Sequence, residues 1–463
     1  MDADAEVMIL SNRGPLGFAR RADGTLEARR GGGGLVVSLG PGAQRAGALW
    51  AAAATTPDDQ EAARVGRVDA EGFRVLPVAL GAEEYRAYYD VVANQTLWFC
   101  VHGMWDLPRR PRFDRHWWKA WETFKEVNGR FASAAAAALA PGGTALVQDY
   151  QLALVPKMLA ELRPDAKVAS FLHTPWCCPQ ELAVLPDEAA VELLAGLAGG
   201  GPVGFHSPRW AGSFRACCDE RLGATATTFV SPGATDADDL RAVTASAECR
   251  RELDDLASAV GDRRLIVRVD RIELSKNVLR GFWAFDDLLE QRPDLRGEVV
   301  FAAMVYPSRA GLAEYQAYAQ EVQTLVAHIN ARWGQPGWTP ILLDPDDNHP
   351  RSVAALRRYD VLLVNPIRDG LNLVAKEGPL VNERDGVVVL SRHAGVFDEI
   401  GGHTLAVNPF DVRATADALA RALDMVPAER AERAEALRKV LDARNALQWF
   451  DEQLAAAGGG APA

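Results

Sequence analysis

Arg271 and Lys276 stand five residues apart in RIELSKN (271–277), after an apolar run at 265–269 and before a helical pattern at 278–289. Two cations beside the open N–H groups of a helix start suit a diphosphate. A solvated loop balanced by Asp270 and Glu273 accounts for the same residues equally well. RDGLNLVAKE (368–377) sets Asp369 at a glycine turn after the run 361–364. Glu377 follows eight residues later, about two turns along a helix read as beginning near Leu371. One carboxylate before that helix and one along it could hold two sugar rings with a diphosphate between them. The plainer alternative is an ordinary helix cap. In the first half, Ser11-Asn12-Arg13 follows the run 7–10, and Gly31–Gly34 lets the backbone come close to an anion. This is neither GxGxxG nor a Walker loop, and alone it reads as a flexible loop. Asp149 in QDYQ (148–151) suits a helix cap or a sugar hydroxyl equally. His173 in FLHTPW (171–176) is one of eight histidines, and alone it reads more readily as a structural residue than as a catalyst.

These groups share a place: each follows an apolar run and precedes a helical pattern. The runs at 7–10, 145–148, 167–172, 202–205, 265–269, 298–305, 341–343, 361–364 and 387–390 read as buried strands. Helical patterns at 151–162, 208–218, 278–289 and 312–332 lie between them. Alternation of this kind predicts α/β architecture with parallel sheets, and ligands in such sheets bind beyond the carboxyl ends of the strands. Few strand signals and many charges at 231–264 predict a boundary. We therefore expect domains at 1–235 and 263–440, with a helix and tail at 441–463 whose last residues fray.

Composition narrows the functional classes. The chain has 463 residues and a net charge of −12, which argues against a broad nucleic-acid surface. No stretch approaches the about 20 apolar residues of a membrane span. The acidic start MDADAEV has no signal-peptide pattern, and the six cysteines show no CxxC spacing. The expectation is a cytoplasmic enzyme with reduced thiols and no membrane partner. Asp344-Pro345-Asp346 reads as a loop rather than a metal motif, and Trp117, Trp118 and Trp121 as packing residues.

Taken in order, the segments resemble the trehalose-6-phosphate synthase family of retaining glycosyltransferases. The blocks are SNR (11–13), GGL (33–35), DYQL (149–152), LHTP (172–175), RIELSKN (271–277), WTPI (338–341), RDGLNLVAKE (368–377), VVLS (388–391) and VNPFD (407–411). The likeness runs from about Val7 to Leu441. It implies a GT-B fold, with two doubly wound Rossmann-like domains facing across a cleft, the first binding the acceptor and the second the nucleotide sugar. The implied reaction moves glucose from UDP-glucose or GDP-glucose to glucose 6-phosphate, with retention, giving α,α-trehalose 6-phosphate. Arg271 and Lys276 match the family's diphosphate-binding pair. Asp369 matches the acid on the donor sugar and Glu377 the acid on the ribose. Asn372, Leu373 and Val374 match backbone at the diphosphate, and Gly34 the glycine beside the donor. Asp149 and His173 match groups around the reacting sugars. Tyr89 and Trp98 match an acceptor-site aromatic pair, and Arg13 and Arg309 the arginines at the acceptor phosphate. No cofactor and no metal are implied; self-association is left open.

Several positions depart from the commonest family form. DYQL stands for DYHL, Gln148 for a histidine, HTPWCCPQE for HIPFPxPE, and RIELSKN for RLDYSKG; Gly378 replaces an aromatic. DYQL and PLVNERD (379–385) also look like pseudo-glycosyltransferases that join cyclitol units. The alternative is therefore a related transferase with another phosphorylated acceptor, glycerol 3-phosphate or an aminocyclitol phosphate. Tyr89, Trp98, Arg309 and the full RDG favour glucosyl transfer.

Overall fold

The computed structural model describes residues 4–31, 34–309 and 311–460. The chain forms two compact units, the first made of 1–233 with 446–463 and the second of 234–445.

Among the described residues, ten strands belong to the first unit: β1 (Ala5–Ser11), β2 (Leu16–Arg20), β3 (Leu26–Arg30), β4 (Leu49–Ala54), β5 (Val68–Ala70), β6 (Phe73–Ala79), β7 (Leu139–Gln148), β8 (Lys167–Leu172), β9 (Val203–Phe205) and β10 (Thr228–Val230). Eight of them form one sheet in the order β10-β9-β8-β7-β1-β4-β6-β5, parallel except for β5 at the edge; β2 and β3 form a separate hairpin. The strand order reverses between β1 and β7, the topological switch point where open α/β sheets place ligands. The second unit is an all-parallel sheet of six: β11 (Arg264–Ile272), β12 (Val299–Pro307), β13 (Ile341–Asp344), β14 (Val361–Val364), β15 (Val387–Ser391) and β16 (Leu405–Val407). Its order is β13-β12-β11-β14-β15-β16, so the switch point lies between β11 and β14. Central strands such as Val361–Val364 and Val387–Ser391 are buried along their whole length, as parallel sheets covered on both faces require.

The charged stretch 231–264, expected as a boundary, holds two helices, Ala237–Ala245 and Ala247–Val260, that belong to the second unit. The helix expected at 441–463 forms at Ala446–Ala457, and a separate helix, Pro427–Leu441, precedes it. Pro427–Leu441 stays with the second unit, whereas Ala446–Ala457 returns to the first. The reason is packing: Trp449 and Phe450 join the first unit's core with Leu39, Phe73 and Phe171. Gly42 makes the close approach possible, because a Cβ there would stand 2.3 Å from the Phe450 ring.

Segment 86–97 is a π-helix of 12 residues (Arg86–Leu97). The Trp98 N–H donates to the Ala93 carbonyl five residues back, and the Thr96 hydroxyl donates to the Val91 carbonyl at 2.9 Å. At about 4.4 residues per turn, two residues nine apart fall on one face, whereas in an α-helix they would face opposite ways. Tyr89 lies within this helix, and Trp98, nine residues on, opens the short α-helix that follows it.

Candidate active site

In the first unit, the polar groups stand at the carboxyl ends of adjacent strands. Asn12 and Arg13 follow β1, Asp149 follows β7, His173 follows β8 and His206 follows β9. Asn12 is buried and Arg13 exposed. The Asn12 amide donates to the Tyr85 hydroxyl at 3.0 Å, and Tyr85 stacks on Tyr89 with ring centroids 4.9 Å apart. Trp98 is fully buried, stacked on His102 at 4.2 Å. Asp149 has φ +69°. A non-glycine residue holds that conformation only when its surroundings enforce it. Its N–H donates to the Phe171 carbonyl at 2.7 Å, and its carboxylate accepts the His173 N–H at 3.3 Å. Gly34 opens the helix Gly34–Arg45; Gly32 and Gly33 of the glycine run lie outside the described residues. Trp117 and Trp121 are buried and stacked on each other at 5.5 Å, and Trp118 is half-buried.

In the second unit, the charged groups collect at the switch point between β11 and β14. Lys276 Nζ donates to Asp369 Oδ2 at 2.7 Å and stands 3.6 Å from Asp270 Oδ1. Asp270 also accepts from the fully buried Arg268 at 3.1 Å. Arg268 in turn donates to Asn365 Oδ1 at 2.8 Å and to the Lys276 carbonyl. Burial opposes the Lys276 charge, but Asp369 and Asp270 outweigh it and raise the ammonium above its usual range. Burial likewise raises Asp270, with Arg268 and Lys276 pulling it back. Two cations thus face two carboxylates, and this inner cluster is close to neutral.

An outer pair lies beside it. Glu273, almost fully buried, pairs through one oxygen with Arg271 at 3.0 Å and Arg309 at 3.3 Å, and accepts from Ser308 Oγ at 3.2 Å. One anion under two guanidiniums leaves net positive charge, and the Arg271 side chain is 48% exposed. In the sequence Glu273 offers only a neutralising charge; the structure makes it the anchor of both arginines.

The helix expected near Leu371 starts at Val374. The cause is Asn372, at φ +85°, whose amide donates to Asp369 Oδ2 at 3.1 Å and whose oxygen accepts the Ala375 N–H at 3.1 Å. Asn372 thus caps the helix and braces Asp369, while Leu373 and Val374 supply the first-turn N–H groups. Lys376 is buried and bonded to Glu399 at 2.7 and 2.9 Å. Among the described non-glycine residues with positive φ, Asp149, Asn277, Arg309 and Asn372 all belong to these two clusters.

Glu377 is half-buried, and burial, reinforced by Asp239, pushes its carboxyl up to about 7 from 4.5. Between those values the folded chain holds a proton that the unfolded chain has lost. Stability is therefore lost as pH rises through about 5 to 7. Glu377→Gln cannot ionise, so its melting temperature should fall less than that of the unmodified protein between pH 5 and pH 8. Equal falls in the two proteins would mean that Glu377 ionises at its ordinary pH.

Asp344 ends β13, so the loop read at 344–346 begins one residue later, and Arg351 takes the Asp344 charge. Among the described residues, no group of three or more His, Cys, Asp or Glu side chains could hold a metal ion. Nor is any helix among them long and apolar enough to cross a membrane.

Two parallel α/β units, each carrying its charged or hydrogen-bonding groups at a sheet switch point, define a glycosyltransferase of the GT-B fold. The chain belongs to glycosyltransferase family 20, whose family model matches residues 5–457. It is 32% identical to a trehalose-6-phosphate synthase of Mycolicibacterium vanbaalenii, over 96% of this chain and 94% of that one. It is also similar to the E. coli trehalose-6-phosphate enzyme solved with UDP-2-fluoro glucose: TM-score 0.86, 26% identity, 99% of this chain and 100% of that one. A UDP-forming α,α-trehalose-phosphate synthase from Burkholderia xenovorans, solved with glucose-6-phosphate, superposes with TM-score 0.85 at 27% identity, covering 98% of this chain and 100% of that one.

Proposed function

We propose that this enzyme transfers glucose from UDP-glucose to glucose 6-phosphate with retention, giving α,α-trehalose 6-phosphate in the cytoplasm. The observation that carries the reading is the Lys276–Asp369 pair at the switch point, with Arg271 exposed beside it. Lys276, Arg271 and the first-turn N–H groups of Leu373 and Val374 take the diphosphate; Asp369 takes donor-sugar hydroxyls and Glu377 the ribose. Gly34 lies beside the donor. Arg13 and Arg309 take the acceptor phosphate, and Tyr89 and Trp98 the acceptor ring. Asp149 and His173 border the reacting sugars.

The chemistry requires stabilisation of departing negative charge more than a dedicated base. The bond from glucose C1 to the β-phosphate oxygen breaks as the acceptor O1 bonds to C1 on the same face. The acceptor proton passes to the leaving phosphate oxygen. Fixed cations that meet the leaving diphosphate lower this barrier without reorganising. The similarity to a UDP-forming enzyme and to one holding a UDP-sugar supports UDP as the nucleotide.

The test is a matrix of donors and acceptors, with nucleotide release and product followed together. UDP-glucose and GDP-glucose each meet glucose 6-phosphate, glycerol 3-phosphate and an aminocyclitol phosphate. UDP release with glucose 6-phosphate and a non-reducing disaccharide phosphate as product are expected. Turnover with only one of the other acceptors would sink the assignment of the acceptor.

A further inference from the structure

We infer that His206 and Gln453 are positioning residues that lock the tautomer of His173 through a one-way chain of hydrogen bonds. The chain starts at a main-chain donor. The Gly233 N–H donates to His206 Nδ1 at 3.0 Å. A backbone N–H cannot accept, so His206 Nδ1 carries a lone pair and the proton of the neutral ring sits on Nε2. That proton points at His173 Nδ1, 3.3 Å away. His173 Nδ1 is therefore an acceptor as well, and its own proton lies on Nε2, 3.0 Å from Gln148 Oε1. With its oxygen committed, Gln148 donates through Nε2 to Gln453 Oε1 at 3.1 Å. The opposite direction is chemically closed. It would make both nitrogens of His206 acceptors, which is an imidazolate.

The surroundings hold the chain in this state. Trp449 stacks on His206 at 5.9 Å, and Phe171 meets both rings, at 4.8 Å for His206 and 5.3 Å for His173. Burial in this aromatic box pushes the His173 imidazole down to about 4. Both ring nitrogens of His173 are thus engaged by the protein, and the ring is neutral at physiological pH. His173 acts as a fixed neutral ring rather than as a proton donor or acceptor in the transfer. The chain joins the carboxyl ends of β7, β8 and β9 to the helix Ala446–Ala457. Gln453 is buried, and its Oε1 is the last acceptor of the chain. A sequence signal existed for His206, which follows the run 202–205 just as His173 follows 167–172.

The functional part of this inference rests on the reading that His173 borders the reacting sugars; the tautomer does not. Two measurements therefore separate them. In 15N-labelled enzyme, NMR of the His173 side chain should show the Nε2–H tautomer, without titration between pH 6 and pH 8. His206→Phe, which cannot donate, should release that tautomer and lower kcat by about 10–100-fold with a smaller change in KM. His206→Gln, which can still donate to His173, should recover part of both. Gln453→Leu keeps shape without the amide, and should lower kcat in the same direction if His206→Phe fails to fold. An Nδ1–H tautomer or a titrating ring at His173 would overturn the chain. An intact tautomer in the unmodified enzyme, with unchanged kcat in folded His206→Phe and Gln453→Leu, would overturn the positioning role.

Discussion

Lys276→Met should lower kcat by about 10²–10³-fold, the cost of removing one fixed group that stabilises developing charge in a dry site. The structure says why the loss should be this large. Arg268 is fully buried and already committed to Asp270, Asn365 and the Lys276 carbonyl. Arg271 and Arg309 share Glu273. Lys276 Nζ stands between Asp270 and Asp369. The variant also leaves two carboxylates facing each other across the vacated space. Asp270 is already raised by burial, and Lys276 is one of the charges holding it down. Its carboxyl should rise further, so the variant should lose more stability than the parent as pH increases from 5 to 8. Lys276→Arg keeps the charge but replaces a compact ammonium with a planar fork, and should recover only part of kcat. The readout is UDP release at saturating UDP-glucose, beside melting curves at the two pH values. Near-normal kcat in Lys276→Met would remove the diphosphate assignment of this cluster.

The second large effect is on stability. Trp449→Ala should cost about 3–5 kcal/mol, the usual range for emptying a fully buried indole site. Trp449 is 1% exposed, donates to the Ser231 carbonyl at 3.1 Å, and meets Phe171 edge-on at 5.2 Å. The loss should fall on one unit. Urea unfolding followed by amide exchange should show earlier opening of β7 and β8, while β11 and β14 keep their protection. A cost below about 1 kcal/mol, or equal loss of protection in both sheets, would contradict the packing role given to this helix.

The parallel strands were the most legible part of the fold. The run 361–364 is apolar at every position and 168–172 at all but Ser170, because both faces are covered, and the polar residue after each run marks where the chain leaves the sheet. By that rule Asp149 follows β7 and His173 follows β8. The π-helix 86–97 escaped because pattern reading tests periods of 3.6 and 2, and neither describes it. The start at Val374 escaped because the left-handed Asn372 delays the helix for the sake of Asp369. Glu273 and His206 were visible as residues but not as partners. Their roles depend on contacts over 36 and 33 residues of sequence separation, to Arg309 and His173, which local pattern does not carry. The return of Trp449 to the first unit is the extreme case, since it packs against residues more than 200 positions earlier.

The route of the chain sets a timetable for its synthesis. The first unit is left at Gly233 and completed only from Ala446 onward. At about 5–20 residues per second, the ribosome takes roughly 10–40 s to make the intervening segment. Throughout that interval, the surface around Leu39, Gly42 and Phe171 that Trp449 and Phe450 will cover faces water. The second unit is continuous in sequence and can fold as soon as it emerges. The nascent protein therefore finishes its second half before its first, and a chain stopped short of the final eighteen residues would release a complete second sheet joined to an uncovered first one.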